Sequence, residues 1–433
     1  MPQVEIDVNQ RPELKRWLPL SFQHVFAMFG ATILVPLIVG LSPSVALFTS
    51  GIGTLIYIVV TGAKVPAYLG SSFAFIPPLI AISSSLGLPY AMGAAFCAGI
   101  FYLIVAGIIK IAGVGWLDKA LPPVVIGAVI IVIGLKLAPV AMNMVMYGNG
   151  APAADAAYSL SYVLVGVVTL AIAIIAAIVL KGFFTVIPIL LGIVGGYLFA
   201  LIMGAIFPDS FKLIDFGMVA NAKWFGFAKL PGLKFSIVPI VTFILVSFAT
   251  IAEHLGDTLV TSKVVGRDFY KDPGIHRTLA GDGIATAFAA LMGGPPNTTY
   301  GENIGVMAIT RVYSVWVIGG AAVIAVILSF IQKFGAIIQT IPVPVMGGIS
   351  MMLFGIIASS GIRTVVESGV DYADKRNLTI SSVILVIGIG GGKLLLTISD
   401  SLDFALADVA LATLVGIILN LVLPKSIDKK EKK

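Results

Sequence analysis

Long apolar runs, following one another from Trp17 to Leu423, constrain this chain more than any other feature. A run of about twenty apolar residues crosses the hydrocarbon core of a bilayer as a helix, because only there is every backbone group bonded internally. Such runs begin near Trp17, Val45, Pro66, Ala91, Leu121, Tyr158 and Phe184. They begin again near Ile237, Thr278, Thr299, Trp316, Val343, Leu378 and Leu402. The reading is an all-α polytopic membrane protein of about fourteen segments. Several segments are short or broken by Gly and Pro, and a count two lower is the alternative. Composition agrees: 58% of the residues are hydrophobic and 11% charged, against about 25% charged in soluble domains.

Basic residues set the orientation. Arg11, Lys15 and Arg16 precede the first run, and Lys425, Lys429, Lys430, Lys432 and Lys433 follow the last. Both termini are therefore expected in the cytoplasm, which requires an even number of spans. Loops carrying Lys64, Lys110 and Lys119, Lys181, Lys263 to Arg277, Arg311, and Arg363 to Arg376 fall on the same side. This placement accounts for the net charge of +6 without a nucleic-acid partner. The mixed polar start, from Glu5 to Arg16, does not resemble a cleavable signal peptide. One segment, from Pro208 to Lys234, is long enough to lie outside despite its lysines, including Lys229.

That segment divides the chain into 1–207, a connector over 208–235, a second half over 236–424 and a basic tail over 425–433. The halves echo one another. AlaLeuProProValValIleGly at 120–127 resembles ThrIleProValProValMetGlyGly at 340–348. TyrLeuGlySerSerPheAlaPheIleProPro at 68–78 and ThrThrTyrGlyGluAsnIleGlyVal at 298–306 both interrupt a third segment. Two seven-span repeats must be inverted, and matched broken segments in inverted repeats mark a transport site near mid-membrane.

Ionisable groups inside apolar spans are costly and usually functional. Four acids stand out: Glu253, Asp257, Asp282 and Glu302. Glu253 and Asp257 are four apart and share a helix face. Two carboxylates in one dry cavity favour sharing a proton, which suits proton coupling. Carboxylates also accept N–H donors, which suits a flat heterocycle with alternating N–H and C=O groups. The competing reading makes these acids helix caps or partners of Lys and Arg. For Asp282, between Gly281 and Gly283, a structural role and a substrate contact are both open. The breaks at Gly70–Ser72 and Tyr300–Gly301 leave half-helices whose amino ends could meet carbonyls. Phe73 and Tyr300 could stack on a ring, although a lone Phe in a span is usually packing. His24 either relays protons or, as preferred here, bonds a carbonyl or a neighbouring span. His254 lies about 100° around the helix from Glu253 and should point away from the cavity.

Cys97 is the single cysteine, and His24, His254 and His276 are scattered, so neither a disulfide framework nor a metal site is expected. No P-loop, zinc-protease motif or dinucleotide fingerprint occurs. With no nucleophile–base pair either, an enzyme is not expected, and an ion gradient should drive transport.

At these residues the chain resembles the nucleobase/ascorbate transporter family of nucleobase:cation symporters. The resemblance covers nearly the whole chain and is nearest to the bacterial uracil branch. Its signature appears as Glu302–Asn303–Ile304–Gly305 with Thr310–Arg311. Purine-transporting members tend to carry Gln at the place of Glu302. The resemblance implies fourteen spans in two inverted repeats, with short strands in segments three and ten. It implies a core of segments 1–4 and 8–11 and a gate of segments 5–7 and 12–14. By residue it implies a substrate site of Phe73, Glu253, Gly301 and Glu302, lined by Ala31 and Tyr300. Ser72, Asp282, Asn303, Phe354 and His24 support it. Glu253, Asp257 and Glu302 are the expected proton-coupling groups. Asp257 stands where some uracil carriers have His, and Phe354 where one has Tyr.

The expected function is proton-coupled import of uracil across the cytoplasmic membrane by alternating access, with no cofactor beyond the proton. A homodimer through the gate is implied by the resemblance. Xanthine or another purine is the alternative substrate. An anion exchanger or channel on the same fold is disfavoured, because two acids repel an anion.

Overall fold

Proline and glycine cut the apolar runs into helices. Proline opens the first turns of several of them, where its missing N–H has no intrahelical partner. Left-handed glycines close others at Gly40, Gly148 and Gly266. The computed structural model describes residues 4–148, 157–228, 230–399 and 402–424. Lys229 and the basic tail over 425–433 lie outside the described residues.

The first half comprises α1 (Leu14–Val39), α2 (Pro43–Val60), β1 (Leu69–Ser71), α3 (Ile76–Ser85) and α4 (Leu88–Ala112). It continues with α5 (Gly115–Ala120), α6 (Pro123–Lys136), α7 (Ala138–Tyr147), α8 (Leu160–Ile178) and α9 (Pro188–Ile206). Two short helices, α10 (Pro208–Phe211) and α11 (Gly217–Asn221), occupy the connector. The second half comprises α12 (Ile237–Val265), α13 (Ile275–Leu291), β2 (Asn297–Thr299), α14 (Gly301–Thr310) and α15 (Val315–Ser329). It ends with α16 (Gln332–Gln339), α17 (Val343–Glu367), α18 (Lys375–Ile389), β3 (Lys393–Ser399), β4 (Leu402–Ala407) and α19 (Asp408–Val422). The described residues are mostly helical, about 75%. Among the described residues, eight helical stretches are long and apolar enough to cross a membrane, with α6 and α7 taken as one. Phe73–Ser85, Val315–Ser329 and Asp408–Val422 are shorter apolar helices.

The last span departs from expectation. The apolar run predicts a helix from near Leu402, but an antiparallel hairpin of β3 and β4 precedes α19, which starts at Asp408. Three successive glycines, Gly390 to Gly392, end α18, with Gly391 at φ 75°. The stretch from Lys393 to Ala407 holds Asp400 and Asp403 and is too short to span as a helix. The chain is therefore not all-α outside segments three and ten. The amino-terminal stretch also does more than carry charge. Ile6 pairs with Val312, Val8 is fully buried, and Asp7 bonds Arg267 at 2.7 Å. This strap lies against the carboxyl end of α14.

Two packing groups emerge. In one, α13 packs on α4 and α2, α15 on α2 and α1, and α12 on α4 and α14. In the other, α17 packs on α6, α7 and α8, α8 on α9, and α18 on α6 and α19. Lipid is as apolar as Leu, so close backbone approach is what binds such helices together. Gly127 and Gly361 show this between α6 and α17. A Cβ on Gly127 would lie 2.8 Å from the Gly361 carbonyl oxygen, and one on Gly361 would lie 2.6 Å from the Gly127 oxygen.

Strands β1 and β2 meet deep in the first group. They pair antiparallel, with Leu69 opposite Thr299, Gly70 opposite Thr298 and Ser71 opposite Asn297. Extended backbone at such depth is tolerated only where its polar groups are paired. Here the Tyr300 N–H donates to the Tyr68 oxygen at 2.9 Å, and the Ser72 N–H to the Pro296 oxygen at 2.8 Å. Each strand then feeds a helix: β1 leads through a turn at Phe73–Phe75 into α3, and β2 leads into α14.

Candidate functional site

A cavity of about 570 Å³ lies between the two packing groups. On one wall stand Phe73, Glu253, Asp257, Thr298, Thr299, Tyr300, Gly301 and Glu302. The facing wall comes from Ile130 of α6, the stretch Thr185 to Ile189 leading into the start of α9, and α17. From α17 the cavity receives Leu353, Ile356, Ile357, Ser359, Ser360 and Arg363.

Three carboxylates converge here. Glu253 and Asp257 come from one face of α12, as their spacing requires. Asp257 Oδ2 accepts a hydrogen bond from the Thr299 hydroxyl at 3.2 Å, which links α12 to β2. Glu302 is the second residue of α14. That helix starts at the cavity, and its N-cap, Tyr300, makes no side-chain capping bond. Its first amides have no backbone acceptor one turn earlier in the helix, and the positive end of its dipole faces the cavity. A Cβ added at Gly301 would meet nothing within 4 Å among the described residues. A ligand can thus approach this backbone closely. Phe73 adds a half-buried aromatic face. The site combines acceptors for N–H groups, donors for a carbonyl and a flat apolar surface.

The cavity brings together Phe73, Glu253, Asp257, Tyr300, Gly301 and Glu302. Tyr300 is 3% exposed and is committed to its neighbours. Its hydroxyl donates to the Ser71 oxygen and accepts from the Thr32 hydroxyl, each at 3.2 Å. Its ring sits over Gly70, where a Cβ would come within 2.4 Å of Cζ. The ring therefore holds β1 in place and is not free to stack on a ligand.

Other expected site residues lie behind the lining. Ala31 is fully buried in α1, and Phe354 is buried in α17 beside Leu353, which lines the cavity in its stead. Ser72 is buried, and its hydroxyl has no hydrogen-bond partner among the described residues. His24 is joined to the signature segment. The Asn303 amide donates to His24 Nδ1 and to the His24 carbonyl oxygen, both at 3.1 Å. This tie between α1 and α14 is the bonding role preferred for His24. Asp282 is buried away from the cavity and bonds His254 at 2.8 Å, which also turns away from it. Thr298, Thr299, Ser359, Ser360 and Arg363 line the cavity too; the broken segment at 298–306 contains the two threonines, and no motif in the sequence marks the three α17 residues. The signal they do carry is adjacency: the two threonines precede the signature, and the α17 residues recur at helical spacing.

The profile of the Permease family matches residues 15–396. The uracil permease of Bacillus subtilis (strain 168) is 52% identical over 431 residues, covering 98% of this chain and 96% of that protein. The uracil permease of Escherichia coli (strain K12) is 44% identical over 417 residues, covering 96% and 93%. Among solved structures, the transmembrane domain of the cyanobacterial bicarbonate transporter BicA superposes with a TM-score of 0.66 at 15% identity, covering 97% of this chain and 100% of that one. Murine Slc26a9, an anion transporter in its inward-facing state, gives 0.72 at 10%, covering 95% and 68%. At such identity the two superpositions speak for the fold alone. The sequence matches extend over nearly the full length, and the chain accordingly belongs to the Permease family: it is a multi-pass membrane transporter and not an enzyme.

Proposed function

We propose that this protein imports uracil across the cytoplasmic membrane by proton symport. The carrying observation is the convergence of Glu253, Asp257 and Glu302 on one cavity. Among the described residues that line it, the basic group is Arg363, which lies 3.8 Å from Glu367. Near-full-length likeness to uracil permeases supports the substrate. In this reading Glu302 and Glu253 accept the two ring N–H groups. The amides at the start of α14 meet a ring carbonyl, and Phe73 packs on the ring face. Glu253 and Asp257 share the coupled proton, the Thr299 bond orienting Asp257. An anionic cargo is opposed by the three acids around the cavity.

Fourteen spans follow when β1–α3 and β2–α14 each count as one broken segment and α6–α7 as one span. We read them as two inverted repeats with both termini cytoplasmic. The packing group holding α12 and α14 is the core, and the group holding α6 and α17 is the gate, whose outer surface is the proposed dimer contact. Pro123 and Pro344 mark the starts of the gate helices that hinge. Thr185 and Arg363 at the cavity border adjoin the basic loops, so the cavity faces inward.

Purified protein in liposomes tests this directly. Labelled uracil should accumulate above its external level when the interior is alkaline, and a protonophore should abolish accumulation. Indifference to the gradient would sink symport; xanthine uptake without uracil uptake would sink the substrate assignment. A further prediction concerns Thr298, whose hydroxyl has no hydrogen-bond partner among the described residues although the residue borders the cavity. A typical hydrogen bond contributes about 0.5–1.5 kcal/mol. Thr298→Val should therefore raise the uracil KM by roughly two- to tenfold. Wild-type uptake kinetics in that variant would remove Thr298 from the binding site.

A further inference from the structure

Helix α12 carries two adjoining polar stripes. The front carries Glu253 and Asp257, which line the cavity. The adjoining flank carries Thr250, His254 and Thr258, also at intervals of four and all buried. Thr250 and His254 of this flank are bonded to the neighbouring helices. The Thr250 hydroxyl bonds the Tyr102 hydroxyl of α4. His254 Nδ1 meets Asp282 Oδ2 of α13 at 2.8 Å, and Nε2 meets the Thr278 hydroxyl of the same helix at 2.9 Å.

The helix to which His254 is tied cannot easily shift. Asp282 stands between two glycines at close helix contacts. A Cβ on Gly281 would lie 2.7 Å from the Tyr57 ring of α2. A Cβ on Gly283 would lie 2.9 Å from the Gly99 carbonyl oxygen of α4. Helix α13 is thus wedged between α2 and α4. By contrast, an apolar helix surface in a membrane sets rotation weakly, because side chains and lipid tails offer nearly the same surroundings. Directional bonds between helices set it strongly.

We propose that His254 is a positioning residue for substrate binding: its ring, held by Asp282 and Thr278, sets the rotation at which α12 presents Glu253 and Asp257 to the cavity. The role rests on the uracil-transport reading. Successive residues are about 100° apart, so the clamp at 254 lies on the flank of the helix, off the cavity, while sharing the backbone that carries the carboxylate at 253. His254 touches no substrate. It acts through the backbone of α12.

The test uses the full chain in liposomes, with KM and Vmax for uracil measured separately. His254→Leu should raise KM by about tenfold, with Vmax within about twofold of wild type. His254→Asn keeps an N–H where Nδ1 lies, so it should stay near the wild-type KM. The double variant His254→Leu with Asp282→Leu should be no worse than His254→Leu alone, since both act through one bond. An unchanged KM in a folded His254→Leu overturns the proposal, as does a fall in Vmax alone or additive losses in the double variant. If His254→Leu does not fold, His254→Asn is compared with His254→Gln, whose amide lies too far out to replace Nδ1. Equal KM values for those two overturn the proposal. Absence of uracil transport by the wild type is a different failure, that of the substrate reading itself.

Discussion

Glu302→Gln should raise the KM for uracil by roughly 10- to 100-fold, while abundance and folding stay near wild type. A hydrogen bond to a charged group contributes about 1.5–3 kcal/mol, more than one between neutral groups. Gln keeps the shape and one acceptor, but it loses the charge and adds an amide N–H facing the ring N–H of the substrate. The position magnifies the change. Glu302 lies in the first turn of α14, where a negative charge also gains about 0.3–1 kcal/mol from the helix dipole. Uptake kinetics in liposomes supply the measurement, with xanthine as competitor. Stronger competition by xanthine in the Gln variant would identify residue 302 as the selector of the base. Unaltered uracil kinetics would deny this carboxylate its role.

Gly70→Ala should lower uracil transport about tenfold or more at equal protein abundance, because it strikes the point where the strands cross. The new Cβ would lie 2.4 Å from Cζ and 2.6 Å from the hydroxyl oxygen of Tyr300. That ring cannot retreat without breaking bonds, since its hydroxyl is held by Ser71 and Thr32. Strands β1 and β2 must part, and they carry Phe73 and the start of α14 with them. Overpacking of this kind costs about 1–3 kcal/mol, and here the strain falls on the substrate wall. Tyr300→Phe leaves the clash in place, so it should not rescue Gly70→Ala. Tyr300→Ala removes the ring and should restore part of the activity. Wild-type uptake by Gly70→Ala would show that the crossing tolerates a side chain.

Much of the membrane architecture is legible from residue order alone. Apolar length identifies spans because a bilayer has a set thickness. The breaks at Gly70 and Gly301 are visible because glycine in a span weakens a helix. The spacing of Glu253 and Asp257 places both on one face by helical period alone, and the cavity receives both. His254 points away for the same geometric reason.

Other features escape that reasoning. The stretch from Lys393 to Ala407 is apolar enough to mimic the start of a span, yet it forms a hairpin, since Gly390 to Gly392 end α18 ahead of it. Phe354 and Ala31 lie one layer behind the cavity, because the side of α17 or α1 that faces the gap depends on how the two packing groups meet. Tyr300 illustrates the same limit: its ring serves Gly70 of a strand more than two hundred residues earlier in the chain.

The two glutamates mark the boundary. Residue order by itself determined that this chain lives in lipid, that it breaks two of its spans, and that Glu253, Asp257 and Glu302 are acids where acids are costly. Those conclusions follow from local quantities: hydrophobic length, helical period and the cost of burying a charge. Only the tertiary structure decided that the three acids share one cavity, that Thr299 bonds Asp257, and that His254 on the flank of the helix meets Asp282. These are contacts between segments far apart in sequence. They are set by where small residues let backbones approach and by which buried polar groups find partners, and neither is written in any single stretch of the chain.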